Sequence, residues 1–335
     1  MAPLFYLMFK GESMATPFDK VFAPDADIDL SLFSHIHNDP FLAGTFTLEG
    51  NYFQRTTRYL DRYCTMLGAA GKPLPREILA LQARMQKVVE VEADRRRIQT
   101  MAATGAKSDA ERALKKLSES LSTDLLDRLR VNEYLSLPGG WDSTGTGHSM
   151  VYQFKRTLTG IEFYIHNAGA GIEYHQRHSA TDRELYYPVQ AYQIPMPVER
   201  NKLSAFLRDL MLPQMKELRE AKDRAFDEKK LYEDVLPRIN FLNARLIPVE
   251  GEAEHAFTAG QLSGTCSQRS LHQMLKQNFK TLDEYQRFIY QFKRFALDDY
   301  MRGLQSSGQI GDRRVQVLVR RAINTIRAPD PVQSP

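Results

Sequence analysis

Apolar residues recur at helical spacing over much of this chain, and alternate with polar ones mainly in its middle third. From Asn51 to Leu67, the positions Phe53, Thr57, Leu60 and Cys64 fall on one stripe and predict a helix. A second helix is predicted from Arg76 to about Thr100, with Ile78, Leu81, Met85 and Val88 at the same spacing. Ser108-Asp-Ala-Glu111 has the capping-box pattern and opens a third helix carrying Leu114, Leu117, Leu121 and Leu125. The character then changes. Leu135 to Trp141 contains Pro-Gly-Gly and reads as a loop. Ser149–Phe154 and Ile161–Asn167 alternate as strands, separated by the polar stretch Lys155–Gly160, and the second closes in Ala168-Gly-Ala-Gly171. Leu185–Ile194 predicts a third strand, stopped by Pro195 and Pro197. Two or three helices follow between Val198 and Leu236, and Ile239–Val249 predicts another strand. The C-terminal part predicts a helix after Cys266, one over Thr281–Leu304 and a basic amphipathic one over Asp312–Arg327.

This order predicts an α+β fold. Residues 1–50 are broken by turn-forming pairs into short pieces, with one short strand at Thr45–Leu48. Residues 51–131 form a helical region. Residues 132–327 hold the sheet with its C-terminal helices, and 328–335 are a frayed tail.

Composition narrows the function. The 335 residues are 42% hydrophobic and 26% charged, as in an ordinary globular chain. With 45 basic and 41 acidic residues, the net charge of +4 gives no argument for a nucleic-acid partner. No apolar run approaches a membrane span, and Met1–Phe9 lacks the basic start and cleavage site of a signal peptide. The two cysteines, Cys64 and Cys266, form neither a disulfide framework nor a zinc module, and fit a reducing compartment.

The candidate chemistry lies in the strand pair and in one cysteine. On the first strand, His148 is in phase with Met150, Tyr152 and Phe154. On the second, Asn167 is in phase with Ile165, Phe163 and Ile161. If Phe154 pairs with Ile161, then Tyr152 faces Phe163, Met150 faces Ile165, and His148 lies opposite Asn167 on the same face. An asparagine oxygen there fixes the imidazole, whose other nitrogen can take a proton from a thiol. Gly260-Gln261-Leu262-Ser263-Gly264-Thr265-Cys266 leads into a helix with Leu271, Met274 and Leu275 on one stripe. A cysteine at a helix N-terminus is favoured as thiolate, and Gln261 offers an amide to a developing oxyanion.

Gly147-His148 with Ile165-His166-Asn167-Ala168-Gly169 resembles the His-strand-strand-Asn segment of papain-like cysteine peptidases, and Gln261-x4-Cys266 resembles their glutamine and nucleophile segment. The tryptophan usual after the cysteine is absent, since Ser267-Gln268 stands there. The order His, Asn, Gln, Cys is similar to that of adenain-like and ubiquitin-like-protein peptidases. The resemblance covers about a sixth of the chain. It implies a papain-like core, with an antiparallel sheet and a catalytic helix, beside an N-terminal helical region. It further implies a thiol hydrolase: Cys266 as nucleophile, His148 as base, Asn167 as orienting group and Gln261 as oxyanion donor. The substrate would be a protein or peptide, with ubiquitin-like proteins suggested by the related families. No cofactor and no metal enter this chemistry. The location implied is the cytoplasm, or a host cell into which such divergent domains are delivered as bacterial effectors.

Other readings stay open. The same residues serve a thiol acyltransferase or transglutaminase, or the scaffold binds a protein without catalysis. Asp142 is an alternative orienting group. His175 and His178 could join a carboxylate around zinc, though without a recognised spacing. Trp141 walls the cleft or anchors the core. Arg95-Arg96-Arg97 reads as a solvated helix face or a partner surface.

Overall fold

A computed structural model of the chain describes residues 52–69, 76–143, 147–178, 185–219, 225–248, 266–276, 279 and 281–306, with isolated positions up to 320. The N-terminal segment with Thr45–Leu48, the residue Gln261, most of Asp312–Arg327 and the tail lie outside the described residues.

The fold is α+β: helices with a five-stranded antiparallel sheet. Helices α1 (Tyr52–Ala69), α2 (Arg76–Ala103) and α3 (Lys107–Thr123) come first. Strands β1 (Tyr134–Asp142), β2 (Gly147–Arg156) and β3 (Gly160–His166) form a meander. A two-stranded ribbon follows, β4 (Arg177–His178) with β5 (Leu185–Tyr186), and then β6 (Val189–Pro195). After α4 (Arg200–Met211), an irregular helical segment runs through Glu228–Lys230, Leu231–Val235 and Leu236–Leu242. The described chain ends with β7 (Arg245–Ile247), α5 (Cys266–Lys276) and α6 (Leu282–Ser306). The sheet order is β1-β2-β3-β6-β7.

Strand alternation divides the core in two. Met150, Tyr152, Phe154, Phe163 and Ile165 point to one face and pack with α3, α4 and the irregular helical segment. Val151, from the same strand, points to the other face and joins Leu271, Met274 and Leu275 of α5 with residues of α1 and α6. Helix α2 serves both layers: Ile78, Leu81, Met85 and Val88 enter the second cluster, Val91 and Ile98 the first. A 28-residue α-helix is about 42 Å long, enough to run past both sheet faces along the β1 edge. The predicted stripe of α1 is buried in full, at Phe53, Thr57, Leu60 and Cys64.

Several sequence expectations are corrected. The predicted loop Leu135–Trp141 is strand β1. Its proline is tolerated because β1 is, among the described residues, an edge strand paired on one side only. Its glycines are required by close approach. A Cβ on Gly139 would lie 2.8 Å from the Tyr152 ring, and one on Gly140 1.9 Å from the His148 carbonyl oxygen. Gly140 also has φ +107, a region that L side chains rarely adopt.

The β2–β3 register is Phe154 with Phe163 and Tyr152 with Ile165, two residues away from the expected pairing. The strands continue to Arg156 and resume at Gly160. Between them the Thr157 N–H donates to the Gly160 carbonyl (2.9 Å), and the Gly160 N–H to Thr157 Oγ1 (3.0 Å). The turn is therefore tighter than the polar stretch suggested.

The capping box is not used. Ala106 caps α3 without a side-chain bond, because the left-handed Gly105 turn draws Ser108 into the first helical turn. The expected strand Leu185–Ile194 is split at Tyr187-Pro188: the Pro188 carbonyl accepts from the Asn167 N–H (2.9 Å), but proline has no N–H to return the bond, and the β3–β6 ladder stops there. The expected strand Ile239–Val249 is helical to Leu242; left-handed Asn243 (φ 55) ends the helix and leaves only β7.

Arg95 is not a solvated cation either. It is buried against Glu92 (2.6 and 2.8 Å) and donates to the Gln214 carbonyl (2.7 Å), which ties α2 to the segment after α4. Only Arg97 of the three is exposed.

The glycine requirement at the β1 edge is testable. Gly140→Ala should destabilise the fold by at least about 2 kcal/mol in denaturant unfolding, since neither backbone can yield without breaking the β1–β2 ladder. Gly68→Ala, in open space on α1, should be neutral or slightly stabilising.

Candidate active site

His148 is the second residue of β2, and Asn167 follows the last residue of β3. With the observed register they are diagonal rather than directly opposed, yet alternation still sends both to one face. The rings close the remaining distance: His148 Nε2 lies 2.8 Å from Asn167 Oδ1. Diagonal neighbours on one face are within reach of long side chains, so a two-residue shift preserves the pair where a one-residue slip would have parted it.

The turn after β3 determines which way the Asn167 amide faces. The Gly169 N–H donates to Oδ1 (2.9 Å), and Nδ2 donates to the Ala170 carbonyl (2.8 Å). A backbone N–H can only donate and a carbonyl can only accept, so the oxygen and nitrogen of the amide are fixed without reference to histidine. Oδ1 therefore faces His148, and Nε2 must carry the hydrogen. In the neutral ring this makes Nδ1 the basic nitrogen.

Asn167 Nδ2 also donates to the Tyr232 hydroxyl (3.0 Å). Tyr232, from the irregular helical segment, bonds in turn to His175 Nε2 (2.8 Å), while His175 Nδ1 donates to the Tyr187 carbonyl (3.0 Å). The Tyr232 ring stacks on Tyr174 at 4.8 Å and packs against Gly171, where a Cβ would stand 2.6 Å from it. The Ala-Gly-Ala-Gly run is thus more than a flexible turn: it supplies two backbone partners for Asn167 and the space for Tyr232.

Trp141 is both core and wall. It pairs with His148 across β1–β2, is buried in the main cluster, and its ring lies 4.9 Å from the imidazole. Asp142 does not orient His148; its carboxylate accepts from Gln99 (3.3 Å) and its carbonyl from Arg219. His175 is not poised for zinc, since both its ring nitrogens are engaged as above. The His178 side chain lies outside the described residues. Among the described residues no group of three His, Cys, Asp or Glu could hold a metal ion.

Cys266 is the first residue of α5, at the N-terminus the sequence predicted. Its side chain, like all of Gln261, lies outside the described residues. Helix α5 packs on β2 and β3 through the cluster that holds Val151, on the face opposite to His148. The structure therefore brings His148 and Asn167 together and sets the cysteine helix on the opposite face of the same strands. Tyr232 was not foreseen. It is 65 residues from Asn167 in sequence, and nothing local to Lys230-Leu-Tyr-Glu233 marks it.

The chain matches no known family model, no curated protein and no solved structure. Among the described residues no helix is long and apolar enough to cross a membrane.

Two buried histidines set an acid limit. Burial pushes His175 down to about 4, and pushes His166 down to about 3 with help from nearby His175. Neither ring nitrogen of His166 has a hydrogen-bond partner. Tyr232 stays a neutral phenol, because burial raises it well above the ordinary range.

The unfolded chain takes up a proton on each ring near its ordinary pKa of 6.5, whereas the folded chain resists until about 4 and about 3. The stability contributed by the neutral rings is present above pH 6.5 and is lost as pH falls through that window, at about 1.4 kcal/mol per unit for each ring. Urea unfolding between pH 7 and 4.5 should show this slope. His166→Phe should flatten it by about half while changing stability at pH 7 by less than about 1.5 kcal/mol.

Proposed function

We propose that the protein is a thiol-dependent acyl hydrolase with a divergent papain-like core, acting on a peptide or isopeptide bond. Cys266 attacks the carbonyl carbon, and His148 takes the thiol proton at Nδ1 and returns it to the leaving amine. Asn167 holds the imidazole, and Gln261 with the Cys266 N–H receives the oxyanion. Water then resolves the thioester; an amine in its place would make the reaction a transamidation.

The observation that carries this reading is the His148–Asn167 bond, in which two backbone groups fix the amide and so dictate the imidazole tautomer. A histidine held by Nε2–H with Nδ1 basic is what a thiol general base needs. Helix α5 packs on the same two strands, on the face opposite to His148. The reading therefore requires the sulfur to reach the ring from the other side of the sheet.

A second reading, a binding protein on the same scaffold, is favoured by the burial of His148, which is only 7% exposed. Labelling separates the two. A peptidyl or ubiquitin-based electrophile should modify Cys266 and spare Cys64, which is buried and whose thiol is pushed up by burial and by Asp61. His148→Ala should slow that modification by about 100-fold or more. Cys266→Ala should abolish it while leaving stability within about 1–2 kcal/mol of the parent. Modification of Cys64 alone, or equal modification of both, would refute the hydrolase.

A further inference from the structure

We infer that Tyr232 and His175 are positioning residues, which hold the catalytic pair through a hydrogen-bond relay of one fixed direction. The direction follows from its far end. The Tyr187 carbonyl can only accept, so His175 Nδ1 carries the hydrogen (3.0 Å) and its neutral ring presents Nε2 as an acceptor. The Tyr232 hydroxyl, 2.8 Å away, must then donate to Nε2. Its oxygen is left to accept from Asn167 Nδ2 (3.0 Å), and Asn167 Oδ1 accepts from His148 Nε2 (2.8 Å).

Five groups from four chain segments thus bond with no donor facing a donor and no acceptor facing an acceptor. His175, Tyr232, Asn167 and His148 are all buried, so none can exchange a partner for water without opening the fold. Reversal is closed off too. A Tyr232 hydroxyl turned toward Asn167 would meet an N–H₂ group already committed to the Ala170 carbonyl (2.8 Å), and His175 would lose its donor.

The relay thus runs in the same direction as the turn, which by itself selects His148 Nε2–H, the tautomer that leaves Nδ1 basic. Each bond also polarises the next, which strengthens the oxygen facing the imidazole. Tyr174 stacks on the same Tyr232 ring without entering the chain of bonds, and so provides a packing control. The kinetic consequence rests on the hydrolase reading, whereas the tautomer consequence does not.

Ring nitrogen spectra of the ¹⁵N-labelled full chain at neutral pH test the relay without any variant. His148 should appear as the Nε2–H tautomer and His175 as the Nδ1–H tautomer. The opposite tautomer at either ring would overturn the inference.

Tyr232→Phe keeps the ring and removes the hydroxyl. It should leave His148 as the Nε2–H tautomer, since the turn still fixes the amide, but shift its Nε2 resonance as the facing oxygen loses polarisation, and slow electrophile capture by about tenfold with the electrophile's binding constant unchanged. Tyr174→Phe should do neither. An unchanged His148 Nε2 resonance and capture rate in a folded Tyr232→Phe chain, or equal effects from the two variants, would also overturn it. If the tautomers behave as stated but Cys266 is not captured even in the parent chain, the relay stands and the hydrolase reading falls.

Discussion

A carboxamide with no exposed surface governs this site. Asn167 carries two donors and an oxygen with two lone pairs, and burial takes away the water that would satisfy them. Each one left unpaired would cost about 1–3 kcal/mol. All are met, by the Gly169 N–H, the Ala170 carbonyl, the His148 ring and the Tyr232 hydroxyl. Two of the four lie in the turn that Asn167 itself begins, one on the neighbouring strand, and one on a helical segment from much later in the chain. Satisfying one side chain thus joins three parts of the fold, and the position of His148 is a consequence of that joining.

The rest of the core keeps this arrangement in place. The hairpin that bears the pair is covered on both faces, by α3 and α4 on one side and by α5, α1 and α6 on the other. Its free edge is closed by β1, where two glycines admit the Tyr152 ring and the His148 backbone. A larger residue at either glycine would move the strand that carries Trp141, and with it the ring that lies against the imidazole. Long helix α2 then fixes β1 from outside, with the buried Arg95–Glu92 pair tying it to the chain after α4.

Face parity was legible in the sequence because it depends only on alternation. His148 shares the phase of Met150 and Tyr152, and Asn167 that of Ile165, whichever residues pair. Register was not legible, because Lys155–Gly160 does not say how many of its residues belong to the turn. The hydrophobic pattern fits the true pairing and the one two residues away equally well, since both bury the same set. The β1 strand was hidden by Pro138-Gly139-Gly140, which outside the context of Tyr152 and His148 signals a loop. Tyr232 was hidden for another reason. Its role comes from a contact across 65 residues and from the space above Gly171, and neither leaves a mark on its own neighbours.

The relay also decides which residue can stand at position 167. A carboxylate there would keep the bonds from Gly169 and His148 and add charge beside the imidazole. It has no hydrogen for the Ala170 carbonyl, however, and would force that carbonyl against an anion. It would also oblige Tyr232 to turn its only hydrogen toward it and abandon His175. The amide is therefore the group that this turn and this tyrosine can accept. The consequence reaches the chemistry: behind His148, through Asn167, stand an amide, a phenol and a neutral imidazole. A proton gained by His148 is held from that side by oriented dipoles alone, so the negative charge that balances it has to come from the front of the ring. In the proposed reaction that charge is the thiolate itself, and the ion pair exists only while the cysteine is unacylated.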